Sequence, residues 1–293
     1  MSALHRYVGR DFTDDEIALI AKLCADPATP TREAIARAAC EALSWRQQNG
    51  APKTMSAKVA FLAMHKDGLI TLPAPRREST NGRAVRYLAP DAEPRLPFAL
   101  PSTLEGIGEL NLRLVKTKAA SMTWNKAIAS YHYLGYVPLA GAQLRYLVEA
   151  DCGLVAALSF GASAWKCAPR DAHIGWDAQT RQSRLHLVVN NARFLILPDV
   201  QVQNLASKIL ARTTRALRAD WQALYGYSPV LVETFVETGR FTGASYRAAN
   251  WVKVGETQGR GKLDRTHQRA LPVKDVYLYP LVRGFRHHLV AAA

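Results

Sequence analysis

The sequence predicts an α/β (α+β) protein of two domains, a small helical one followed by a larger mixed sheet. Three observations predict this. The chain has 293 residues, 48% of them hydrophobic, enough to build two cores. Residues 89–103, APDAEPRLPFALPST, carry Pro90, Pro94, Pro97 and Pro101. Proline removes backbone donors and disfavours helix before it, so this stretch reads as a linker. Beyond it, strand-like and helix-like patterns alternate along the chain. The expected divisions are 1–88, the linker 89–103, and 104–293.

Composition excludes other classes. No apolar run approaches the roughly 18 residues of a membrane span. The start, MSALHRYVGRDFTDDE, lacks the apolar core of a secretory signal. Cys24, Cys40, Cys152 and Cys167 are scattered, which suits neither a zinc ribbon nor a disulfide scaffold. A cytoplasmic protein with reduced thiols and no membrane partner is expected. Thirty-eight Lys and Arg against 24 Asp and Glu give a net charge of +14, which favours a polyanion, DNA first and RNA second. A merely soluble basic surface is the plain alternative. Residues 53–86 hold seven basic side chains against Asp67 and Glu78, and residues 240–269 hold seven against Glu256 and Asp264. Two contact surfaces are implied.

In the first domain, Asp14 caps a helix to about Asp26, and Thr31 with Glu33 opens a second to about Trp45. A third, SAKVAFLAMHKDG, places Val59, Leu62 and Ala63 on one face and stops at Gly68. LITL (69–72) and AVRYL (84–88) read as strands around a basic loop with the turn signal Asn81-Gly82. Three helices and a hairpin resemble a winged helix-turn-helix, whose third helix enters the major groove. Lys53, Lys58, Arg76, Arg77 and Arg83 are the candidate nucleic-acid contacts. A small accessory domain with solvated charges fits the same pattern.

In the second domain, residues 111–117 read as a strand and 121–135 as a helix ending at Gly135. Residues 143–160 read as two strands around Ala-Asp-Cys-Gly, and 183–198 as a strand pair or one long interrupted strand. Residues 204–226 form an amphipathic helix with Leu205, Ile209, Leu217, Trp221 and Leu224 on one face, Asn204 as N-cap and Gly226 beyond its end. Residues 228–237 are a buried-type strand, 242–251 a short helix, and 252–257 and 273–281 closing strands. This order resembles the GNAT acetyltransferase fold, and ASYRAANWVKVGE is similar to that fold's last helix and strand. The fold's glycine-rich pyrophosphate loop is replaced by DVQVQNLAS. A helix N-terminus at Asn204–Ser207 still suits a phosphate, so Asn204 and Ser207 are the candidate cofactor contacts.

A closer resemblance rests on HYLGYVPLAGAQLRYLV, AWKCAPRDAHIGWD, NNARFLILPDVQVQNLASKIL, PVLVETFVETGRFTGASYRAANWVKVGETQGRG and VKDVYLYPL. Together they resemble the DruA family of the Druantia anti-phage systems, relatives of which travel with transposases. The resemblance covers roughly residues 1–283 and implies phage defence or a mobile-element setting. A weaker one links His132-Tyr133, Asn204-x-x-Ser207 and Gly243-x-x-Tyr246-x-Ala248-x-Asn250-Trp251 to the phage Mom proteins, GNAT-like enzymes that modify adenine in DNA.

The candidate chemistry follows. His132, with Tyr133, suits a general base or metal ligand, or caps a helix end. Glu233 lies between Leu231 and Phe235 on one strand face, so it is buried and needs a partner. It suits a general base, a metal ligand or a structural ion pair. Tyr246 and Asn250 lie one helical turn apart, and Tyr246 resembles the GNAT tyrosine that protonates a leaving thiolate. Asp171, His173 and Asp177 offer a weakly spaced metal set, or Asp171 pairs with Arg170. Asn190, Asn191 and Arg193 suit reading of a base edge, or a bulge. Gly255, Gly259 and Gly261 with Arg260 and Lys262 read as a basic loop gripping phosphates. Trp165, Trp176 and Trp251 suit base stacking or a core.

These residues predict a DNA-processing protein acting by base modification through group transfer, or by metal-assisted strand cleavage. Acetyl-CoA and Mg²⁺ or Mn²⁺ are the respective candidate cofactors. The other class is a catalytically inactive DNA- or RNA-binding module that recruits partner proteins.

Overall fold

The computed structural model describes residues 4–47, 50–76, 102–139, 141–259 and 271–290. The chain divides into two compact units, Met1–Val85 and Arg86–Ala293.

The first unit opens with a hairpin, β1 (Leu4–Tyr7) and β2 (Arg10–Thr13). Its turn holds Val8 and Gly9 at φ 51 and 74, the left-handed pair that a two-residue hairpin turn needs. Thr13 caps α1 (Asp14–Ala25), and Glu16 returns the bond in a capping box. Thr31 caps α2 (Arg32–Ala42). Then comes α3 (Thr54–Lys66), which buries Ala57, Ala60, Phe61 and Met64. The expected inward face is corrected here, since Val59 and Leu62 are 57% and 40% exposed. The larger Phe61 and Met64 take the core and turn the helix. Residues 69–72 form no strand among the described residues; Ile70 and Leu72 are buried after Gly68, and His65 Nδ1 bonds their backbone. The expected strand 84–88, with Arg77 and Arg83, and most of the linker lie outside the described residues.

The second unit is a seven-stranded mixed sheet, ordered β3-β4-β5-β6-β7-β9-β8. The strands are β3 (Asn111–Leu114), β4 (Gln143–Ala150), β5 (Gly153–Ala162), β6 (Val188–Ile196), β7 (Leu231–Glu237), β8 (Val252–Glu256) and β9 (Lys274–Pro280). Only β6 and β7 pair in parallel; the other neighbours are antiparallel. The parallel step is made by the crossover α7 (Leu205–Tyr225). With α4 (Lys118–Tyr131) and α8 (Ala244–Ala248), α7 covers one face of the sheet and closes the larger core. On α7 the expected Leu224 is exposed, while Thr213 and Thr214 are buried and bond back to the Ile209 and Leu210 carbonyls. The other face carries α5 (Ala168–Ile174), α6 (Ala178–Arg184) and α9 (Phe285–Val290) over a second core of Val188, Leu231, Val276 and Leu278. No helix among the described residues is long and apolar enough to cross a membrane.

Candidate functional site

The site begins where β6 and β7 part. Their register runs only from Val188↔Leu231 to Asn190↔Glu233, although the strands continue to Ile196 and Glu237. The cause is local to β6. Opposite Ser159 and Phe160 the register skips Ala192, a β-bulge that bends the strand. Asn191 fills the bulge: its Nδ2 donates to Ser159 O at 3.1 Å and to Arg193 O at 3.2 Å. Asn191 therefore shapes backbone, as the bulge alternative foresaw.

The split opens a cavity of about 530 Å³, lined on one side by Asn191, Ala192 and Phe194–Ile196 and on the other by Thr234–Val236. Ligand pockets typically fall in this size range. Val236 joins the larger core and Phe235 packs on the second. Apart from these strands, the lining comes from α4 and its end, α7, α8 and the loop before it, so the cavity lies on the face that those helices cover. Ala206, in the first turn of α7, lines one end. No side chain caps that turn. Asn204 adopts φ 62 there, a conformation that asparagine tolerates better than most residues. Ser207 is occupied by a bond from its hydroxyl to Asn204 O.

Tyr246 enters from α8. Its hydroxyl donates to Asn191 Oδ1 at 2.7 Å and lies 3.4 Å from Thr234 Oγ1. Burial raises the phenol above its ordinary value, so it keeps its proton at neutral pH. Gly243, Tyr277 and Trp251 fix the ring: Tyr277 stacks at 5.9 Å and Trp251 meets it edge-on at 5.1 Å. Asn250 has a different task. It sits at φ 65 just past α8, with Asn250 N bonded to Arg247 O and Trp251 N to Tyr246 O. This is a Schellman motif, with Trp251 against Tyr246 as its hydrophobic contact. Asn250 is exposed and lies outside the cavity lining.

His132 and Tyr133 line the cavity from the end of α4. Leu134 N donates to His132 Nδ1 at 3.2 Å, so the neutral ring carries its proton on Nε2. Burial, then the nearby Arg193 guanidinium, lower the imidazole to about 4. A neutral ring in this tautomer offers a donor rather than a base. Tyr133 stacks on His132, meets Phe241 edge-on at 5.2 Å and lies under the Arg240 guanidinium at 5.0 Å. Thr234 and Phe241 were not singled out in the sequence, and Arg240 counted only as one of the seven basic residues of 240–269; the TGRFTG loop carries Arg240 and Phe241 on residues that read as an ordinary turn.

The cavity lining does not include Glu233. Its side chain is fully buried on the other sheet face, where Oε2 accepts from Arg170 Nη1 at 2.8 Å and Oε1 from Ala164 N at 2.7 Å. Burial raises the carboxyl, and the guanidinium and amide oppose that rise. Arg170, also fully buried, spends its other nitrogens on Asp171. This is the structural ion pair among the alternatives. Asp177 caps α6, and His173 pairs with Arg286. Among the described residues no three His, Cys, Asp or Glu side chains converge to hold a metal ion.

Of the basic candidates, Lys58 is ion-paired to Glu33 at 2.6 Å, Lys53 flanks the start of α3, and Arg76 is exposed. Arg193 is half-buried and donates to Gly135 O and Ala192 O. Arg260, Lys262 and Gly261 lie outside the described residues. Trp176 and Trp251 belong to cores, and Trp165 is exposed.

A mixed sheet in this strand order, split between its two parallel strands, makes the second unit a mixed α/β domain, the class its sequence predicts. The family profile for Druantia protein DruA matches residues 63–270, and the chain belongs to the DruA family. No curated protein matches the chain. Among solved structures, the ribosomal-protein-S18-alanine N-acetyltransferase of Escherichia coli is similar at 8% identity, over 63% of this chain and 97% of that one, with a TM-score of 0.38. A GNAT-family acetyltransferase of Streptococcus pneumoniae is similar at 12% identity, over 59% and 99%, also with a TM-score of 0.38.

Proposed function

We propose that this chain is a group-transfer enzyme of a phage-defence system that acts on nucleic acid, with its chemistry in the slot between β6 and β7. The observation that carries this reading is the cavity at the parting of β6 and β7 beside a protonated, oriented Tyr246. Such a cavity has room for a donor along the parted strands and an acceptor beside Tyr133, which turns a two-substrate encounter into a positioned one.

The residues present fit an acyl-thioester coenzyme. The edge of β6 freed beyond Asn191 would hold its extended arm, and the first turn of α7 at Ala206–Ser207 would hold its phosphates. Asn204 supplies the left-handed backbone that a glycine would otherwise provide. Bound there, the coenzyme would supply an activated acyl group. Tyr246, held by Asn191, hands its proton to a leaving group. His132 would orient the acceptor by a hydrogen bond from Nε2–H, and the proton that the acceptor sheds would pass through solvent to restore the Tyr246 phenol. The rings of Tyr133 and Phe241 with Arg240 suit a planar acceptor such as a nucleobase. The net charge of +14 supports DNA or RNA as its carrier.

The test is incubation of the full chain with single- and double-stranded DNA and RNA and acetyl-CoA, with and without Mg²⁺ or Mn²⁺, read by mass spectrometry and denaturing gel. A mass added to a base is expected, reduced roughly 100-fold or more in Tyr246→Phe with the fold intact. Glu233→Gln should instead lose about 3–5 kcal/mol of stability, because Arg170 is left buried and uncompensated. Metal-dependent cleavage, or binding without any product, would overturn the reading.

A further inference from the structure

The layer of α5, α6 and α9 gathers charge that the cavity does not use. Lys166, Arg184 and Arg286 have no carboxylate partner among the described residues. Arg286 instead lies against another basic side chain, its Nη2 2.8 Å from His173 Nε2 and its Nε donating to His173 O at 2.9 Å. Burial and Arg286 hold His173 below its ordinary value, so the imidazole stays neutral beside it. The layer's carboxylates are occupied. Asp171 takes Arg170, Trp176 and Arg181, and Asp177 caps α6.

Within this layer Trp165 is 54% exposed, with the Arg181 guanidinium 6.0 Å from its ring centroid. The neighbouring Ala164 is bonded to Glu233, which shares a face of β7 with the cavity-lining Phe235. The Trp165 loop therefore belongs to the face of the sheet opposite the one that α4, α7 and α8 cover. Ordinary soluble surfaces intersperse charges of both signs and cover large aromatics. Unpaired cations on the same layer as an exposed indole fit a strand of phosphates whose bases are free to stack.

We propose that this layer binds single-stranded nucleic acid, with Trp165 stacking a base and Lys166, Arg184 and Arg286 taking phosphates. The assignment goes beyond the preceding reading: it is a binding face on the other side of the sheet, and it stands or falls apart from the chemistry in the cavity. A duplex keeps its bases stacked inside and offers Trp165 none.

The experiment is fluorescence anisotropy of the full chain with a labelled deoxythymidine oligomer of about 20 nucleotides, a matched duplex and a polyglutamate control, across salt. Trp165→Ala should weaken single-strand binding about tenfold with the salt slope unchanged, and Trp165→Phe should retain most of it. The Lys166→Ala, Arg184→Ala, Arg286→Ala triple variant should lower the slope by about 0.7 per contact removed. Tyr246→Phe should bind normally, which separates failure of this assignment from failure of the chemistry. Unchanged affinity in both surface variants with circular dichroism intact would overturn it. So would losses confined to Lys53→Ala and Lys58→Ala, or polyglutamate binding as tight as the oligomer.

Discussion

Two side chains show how far single residues were legible. The apolar neighbours Leu231 and Phe235 announce that Glu233 is buried, but its cation comes from Arg170, 63 residues away in sequence. No local pattern encodes that partner. His132 was legible as a helix-end histidine, whereas its tautomer depends on the backbone turn that brings Leu134 N to Nδ1. Its lowered affinity for a proton has a definite consequence. Free histidine titrates near 6.5 and His132 near 4, so between these values the unfolded chain holds more protons than the folded one. His132 thus contributes stability that is present above pH 6.5 and is lost as pH falls towards 4. Thermal unfolding measured across that window should show a falling Tm, with a shallower fall in His132→Gln. His173 and His186 are lowered too and leave a residual slope of the same sign.

Elements were legible where they were long and periodic. The helix α7 and the sheet strands followed their patterns, because the 3.6- and 2-residue periods average over many positions. The short helices α5, α6 and α9 were missed, since one or two turns carry too little period to detect. The hairpin of β1 and β2 was missed because its turn puts Val8, a β-branched residue, at positive φ. On α3 the face was misread, since volume rather than spacing decided which apolar side chains went inside. The short α8 depends on backbone room: Gly243 sits at φ 70, and an added Cβ would lie 2.3 Å from the Tyr277 hydroxyl. Gly243→Ala should therefore cost about 2 kcal/mol and shift Tyr246, seen as a lowered Tm and altered near-ultraviolet circular dichroism.

At the scale of the molecule, each unit closes its own core. One is built from Phe12, Ile20, Ile35, Phe61 and Met64, and the others from residues beyond 100. A fragment of residues 86–293 should unfold cooperatively with the sheet's circular dichroism; a fragment lacking it would show that the second core needs the first unit. The order of elements was readable from the sequence, but the site was not. The slot is made by a register that stops at Asn190↔Glu233, a property of two strands that α7 separates in the chain. The same sheet also sets an order in time. β8 pairs only with β9, and β9, the last strand, lies between β8 and β7. During synthesis β8 must wait for its neighbour until Lys274–Pro280 has been made, and β7 has one open edge for as long. The unit therefore completes its sheet from the inside, and its final strand acts as a closing wedge.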